Sequence, residues 1–116
     1  MTYVDGFVIP VAKANRDAYR KTAEQAAPIF KAHGALKVVE CWGDDLPPGT
    51  LTSFPLAVKC NEDETVVFSW IVWPSKEARD AGNAKAMADP RMQQVDACPF
   101  DAKRLIMGGF EVMLEA

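Results

Sequence analysis

The chain alternates between stretches with the two-residue period of strands and stretches with the period of helices. From Tyr3 to Pro10, the residues Tyr3, Asp5, Phe7 and Ile9 alternate with Val4, Gly6 and Val8. Both sets are largely apolar, which predicts a strand covered on both faces. Asn15 offers a helix N-cap, and Arg16 to His33 carries Tyr19, Thr22, Ala23, Ala26 and Phe30 at three- and four-residue spacing. Gly34 follows as the expected left-handed residue past a helix end, and Pro28 should kink that helix or end its regular part early. Ala35 to Trp42 is a second predicted strand, and Gly43 to Gly49 reads as a loop by its Gly, Pro and Asp content.

Phe54 to Cys60 and Thr65 to Trp73 read as a hairpin joined by the polar run Asn61 to Glu64. The second member, TVVFSWIVW, is apolar on both parities, so something must cover each side. Pro74 and Ser75 stop it and cap a helix to about Ala88, with Ala78, Ala81, Ala84 and Met87 as the expected buried stripe. Asp89-Pro90 should open a short third helix through Val95, and the stretch after it is irregular. Leu105 to Leu114 closes the chain as a strand with Ile106, Phe110, Val112 and Leu114 on one parity.

This order predicts an α+β fold: a ferredoxin-like split βαβ with an antiparallel sheet and two main helices on one face, in a single domain over residues 1–116. Two helices on one side leave the other bare. A bare apolar sheet would exceed the few hundred Å² that soluble monomers expose, and the simplest cover is a second copy about a two-fold axis. The expectation is a homodimer whose two sheets face each other as a dimeric α/β barrel.

Composition narrows the classes of function. At 49% hydrophobic and 25% charged residues, the chain has the balance of a soluble globular protein. Thirteen Lys and Arg against sixteen Asp and Glu give a formal charge of −3, and no basic field exists to hold a phosphate backbone. Nucleic acid is therefore not an expected partner. The three cysteines, Cys41, Cys60 and Cys98, are odd in number with no C-x-x-C pair, and read as reduced thiols. The opening residues lack a basic n-region and no apolar run nears the roughly 18 residues of a membrane span, so a cytoplasmic protein without a membrane partner is expected.

The runs YVDGFV at Tyr3 to Val8, GALKVVECWGDD at Gly34 to Asp45, FSWIVWPSKEARD at Phe68 to Asp80 and MADPRM at Met87 to Met92 resemble the YbaA-like family of small bacterial proteins. That family is a domain of unknown function within the dimeric α/β-barrel superfamily. The resemblance spans essentially the whole chain and implies the fold and the dimer, but no activity. Superfamily relatives include cofactor-independent monooxygenases, muconolactone-type isomerases and haem-degrading enzymes, which place small apolar or aromatic ligands in a pocket lined by sheet and helices.

Candidate chemistry lies first in carboxylates on strands. Asp5, Glu40 and Glu111 each have mostly apolar neighbours two residues away. If the parities of Val4, Gly6 and Val8 and of Ile106, Gly108 and Phe110 faced the helices, Asp5 and Glu111 would point into the barrel. Glu40 shares its parity with Leu36, Val38 and Trp42. A desolvated carboxylate gains the raised pKa of a general acid or base, and a paired one merely fixes register. Glu40 and Asp5 are thus the candidate catalytic residues.

Trp42 and Trp70 are candidate walls for a flat ligand; Trp42 stands at a strand end beside a Gly-Pro loop, where a pocket mouth belongs. Arg79 or Arg91 would anchor a ligand carboxylate if turned inward. His33, the single histidine, sits in the last turn of its helix, where capping is the ordinary role and ligand contact the alternative. It has no Cys or carboxylate at metal-ligand spacing, and the chain carries no phosphate-binding glycine loop, G-x-S-x-G or H-E-x-x-H. No metal or nucleotide cofactor is expected. The leading expectation is a pocket that binds or transforms a small aromatic or apolar metabolite, and the competing one is a non-catalytic scaffold or regulatory dimer.

Overall fold

The computed structural model describes residues 2–116. Tyr3–Ala12 (β1), Lys37–Trp42 (β2), Glu64–Trp73 (β3) and Ile106–Glu111 (β4) form one antiparallel sheet in the order β2-β3-β1-β4. Arg16–Ala32 (α1) follows β1 and Lys76–Ala88 (α3) follows β3. The register fixes which residues share a face: Asp5 and Val38 both lie opposite Ile71, and Gly6 and Val39 both lie opposite Trp70. The row through Tyr3, Asp5, Glu40, Ser69 and Trp73 meets both long helices, since Tyr19 of α1 bonds Glu40, and Arg79 and Asn83 of α3 bond Asp5. The fold is thus α+β, with both long helices on one side of the sheet.

The core follows from that face. Tyr3, Ala35, Ile71 and Trp73 form one buried cluster and Ile9, Val11, Tyr19 and Val67 another. On the opposite face Val4, Val8, Phe68, Trp70, Val72 and Phe110 line a shallow apolar depression of about 690 Å³, and Phe68 and Phe110 remain 45% and 60% exposed. The apolar parity of Val4, Gly6 and Val8 therefore faces away from the helices, the reverse of the condition that would send Asp5 and Glu111 into a barrel. Asp5 is buried under α3, and Glu111, in register with Tyr3 at the sheet edge, is exposed.

Four further expectations are corrected. Phe54 to Cys60 is no strand. Phe54–Ala57 forms a short helix (α2), because Ser53 Oγ accepts from the Leu56 amide at 3.0 Å and Pro55 sits in the first turn, where it lacks no needed donor. Asn15 does not cap α1 with its side chain; a 3-10 turn over Lys13–Asn15 leads straight into the helix. Of the two outcomes expected at Pro28, the early end does not occur: α1 continues to Ala32, and the proline lies on the exposed side, where water can satisfy the carbonyl left without a donor. The buried stripe of α3 is Gly82 and Ala86, while Ala81, Ala84 and Met87 face solvent.

The Trp73 ring explains that last shift. It lies so close over Gly82 that a Cβ there would collide with it and come within 2.7 Å of the His33 carbonyl oxygen. Gly34 has the expected left-handed backbone, φ +109°, just past the end of α1. Asp89-Pro90 opens a 3-10 turn over Pro90–Gln94, with the Asp89 carboxylate accepting from the Arg91 amide.

Candidate functional site

The inner face of α1 does not close fully on β2. Tyr19, Ala23 and Ala27 recur at four-residue spacing, and each alanine offers only a methyl group on that face. The result is a groove of about 450 Å³ between α1 and the strand residues Val38, Glu40, Trp42 and Val67. Small residues on one wall and alternating strand side chains on the other make the cleft.

Glu40 holds its polar centre. Tyr19 Oη donates to Glu40 Oε1 at 2.6 Å, and Ser69 stands directly across the β2–β3 ladder from Glu40. Tyr19 itself is buried, with its ring 6.3 Å from that of Phe100. Burial, then the hydrogen bond to Glu40 and that carboxylate's charge, push the phenol well above its ordinary range, so it serves as a donor that keeps its proton. Glu40 retains solvent access through the groove mouth. Even so, enough protein surrounds its carboxyl that desolvation raises its pKa, against the opposing pull of the Tyr19 and Ser69 hydroxyls. Such a carboxyl can hold or release a proton in contact with a ligand. Cys98, an exposed residue, lies near the pair, and partial desolvation followed by the Glu40 charge pushes its thiol up, which disfavours the thiolate.

Trp42 forms the wall beside Glu40, and the Arg16 guanidinium sits 5.5 Å from its ring centroid. Glu40 and Trp42 are therefore brought together. The remaining candidates are not. Asp5, 2% exposed, accepts from Trp73 Nε1 at 3.0 Å, Arg79 Nε at 2.9 Å and Asn83 Nδ2 at 3.2 Å, and Arg79 Nη2 approaches the same oxygen as Nε. Its lone pairs are spent on tying α3 to β1. Arg79 also lies over the Tyr3 ring and bonds Asp80. His33 Nε2 and Asp89 Oδ2 are 2.8 Å apart, while Arg91 chelates Asp89 through Nε and Nη2, so both residues serve one clasp between the ends of the two long helices. Trp70 lies on the open face against Phe68.

Two participants escape a reading of the chain alone. Ser69 looks like one polar residue in an apolar strand, and Arg16 like one of many solvated helix charges. Their relation to Glu40 and Trp42 exists only once β2 is registered on β3 and α1 is laid across them. Among the described residues no cluster of three or more His, Cys, Asp and Glu side chains is arranged to hold a metal ion, and no helix is long and apolar enough to cross a membrane.

Comparison with known proteins places this geometry in a family. A solved structure of Rv0793 from Mycobacterium tuberculosis matches the whole chain and 99% of its own with a TM-score of 0.54 at 14% identity, a likeness of fold. The uncharacterized protein YbaA of Escherichia coli K12 is 56% identical over 116 residues, covering 99% of each chain, and YbaA of Shigella flexneri matches equally. Residues 2–102 match the family model described as a protein of unknown function, DUF1428. The chain belongs to the DUF1428 family, the family of YbaA.

Proposed function

We propose that the groove between α1 and β2 binds a small aromatic or apolar metabolite, with Trp42 as its flat wall and Glu40 as the group that exchanges a proton with it. One observation carries this reading: a carboxyl with a raised pKa, oriented by Tyr19, beside an indole in a groove of about 450 Å³. A solid wall of packed side chains would favour a scaffold instead; a cavity above roughly 300 Å³ with converging polar groups favours a ligand. The chemistry available is general acid–base: a protonated Glu40 donates to a carbonyl or enolate oxygen, and the ionised form withdraws an acidic C–H proton. Tyr19 steadies either state by donating to Oε1.

The same proposal includes a homodimer in which each copy is a ferredoxin-like half of a dimeric α/β barrel. Its support is the open sheet face, where β1, β3 and β4 contribute apolar side chains. Its two charged lining residues, Lys37 in β2 and Glu115 after β4, have opposite signs.

The groove is tested by titrating an aromatic metabolite panel into the full-length protein. Glu40→Gln and Trp42→Ala should each weaken the best binder at least about tenfold. Unchanged affinity in both variants would sink the groove reading and move the weight to a dimer that scaffolds or regulates a partner.

A further inference from the structure

The charged groups that line the groove are not all paired, and the unpaired cation bears on the class of ligand. Arg20 and Glu24 neutralise each other through an i, i+4 pair at 2.8 Å. Arg79, Arg91 and Arg104 are committed to Asp5, Asp89 and Glu64. Arg16 makes no ion pair among the described residues. Glu40 lines the same groove, yet takes its hydrogen bond from Tyr19 and leaves the guanidinium free. What holds Arg16 is the Trp42 ring, its Cζ 5.5 Å from the centroid. A guanidinium over an indole is attracted by the charge distribution of the ring and spends no hydrogen bond on that contact. Its N–H donors lie in the plane and stay available as a fork for two oxygens.

We propose that Arg16 and Trp42 together form a subsite for an aromatic carboxylate, and that the ligand is a small planar monocarboxylate. Its acid group meets Arg16, its ring lies along Trp42, and its other polar end reaches the Glu40–Tyr19 pair. This rests on the groove being the ligand site and adds the ligand's charge. A dicarboxylate would bring its second anion against Glu40, and a phosphate dianion would meet only the one unpaired guanidinium. The anchor therefore lies at the first residue of α1, and not at Arg79 or Arg91, whose forks are filled from within the chain.

The test uses a matched pair of probes, 4-hydroxycinnamate and its neutral amide, titrated into the full-length protein with the Trp42 indole N–H resonance as reporter. The carboxylate should bind about tenfold more tightly than the amide. Arg16→Met should abolish that preference while leaving amide affinity unchanged, and Arg16→Lys should restore part of it. Amide binding doubles as the control that the variant is folded. Equal affinity of the two probes, a preference that survives Arg16→Met, or equal loss of both probes in that variant overturns the monocarboxylate proposal while the amide's effect at Trp42 still supports the groove. Failure of both probes to perturb Trp42 overturns the groove and the proposal together.

Discussion

At the scale of single residues, the two strand carboxylates are opposites. Asp5 has every lone pair engaged and Arg79 as its ion-pair partner. Asp5→Asn should lower unfolding stability by about 3 kcal/mol in urea denaturation, the low end for a broken buried pair because Arg79 keeps Asp80 and some water. Glu40 is the reverse case. Its folded pKa lies above the ordinary carboxylate value, so the folded protein keeps a proton that the unfolded chain has already lost. Stability contributed by the protonated form is complete below the ordinary value and declines as pH rises through the raised one. Glu40→Gln should flatten that decline in urea midpoints measured from mildly acidic to neutral pH, and should not destabilise the protein at neutral pH even as it removes ligand affinity. A residue whose loss is harmless to folding and harmful to binding is what a site retains against stability.

Gly82 makes a related point about magnitude. Helix propensity alone favours alanine there by about 1 kcal/mol. Overpacking against the Trp73 ring costs about 1–3 kcal/mol. Gly82→Ala is therefore expected to lower the thermal midpoint, with the shift only partly relieved in a Trp73→Phe background because the His33 carbonyl oxygen stays in place.

At the scale of elements, both ends of α3 are pinned by side chains. Ser75 Oγ accepts from the Ala78 amide at 3.0 Å, and Ser75→Ala should cost about 1 kcal/mol, read from the denaturant midpoint. At the other end of α3, Arg91 first and His33 second hold the Asp89 carboxyl well below the usual range. Here the unfolded chain takes up its proton first as pH falls. The clasp is complete above the ordinary carboxylate value and is lost as acidity approaches the depressed one. Asp89→Asn should flatten the acid limb of the stability profile.

Elements are also where the sequence was most and least legible. The apolar run of β3, the valines of β2 and the glycine after α1 read directly from period and turn chemistry. Phe54 to Cys60 misled, because its alternation mimics a strand and the decisive feature is the Ser53 cap over Pro55, a three-residue detail. The parity of β1 was undecidable for another reason. Val4, Gly6 and Val8 are as apolar as the buried set, so hydrophobicity could not say which side meets the helices. Glu40 and Trp42 could be chosen from their shared parity, whereas Tyr19 is 21 residues from Glu40 and meets it only through tertiary packing.

At the scale of the whole molecule, the open sheet face is where the proposed dimer would form. If two copies meet there, Trp70→Asp places a charge in the centre of the interface, and native mass spectrometry should report monomer for that variant and dimer for the parent chain. A monomeric parent would leave Phe68 and Phe110 uncovered and refute the barrel. The two surfaces, groove and open face, are moreover written on one strand: Val67 and Ser69 face the first, Phe68 and Trp70 the second. Because the pleat has a period of two, a single inserted or deleted residue within β3 would exchange them, turning aromatic rings toward α1 and a serine outward. Lengthening the exposed 47–52 loop disturbs neither surface. Indels should therefore accumulate in that loop and be absent from residues 64–73, a constraint on spelling length that is stricter than any on the identity of the letters.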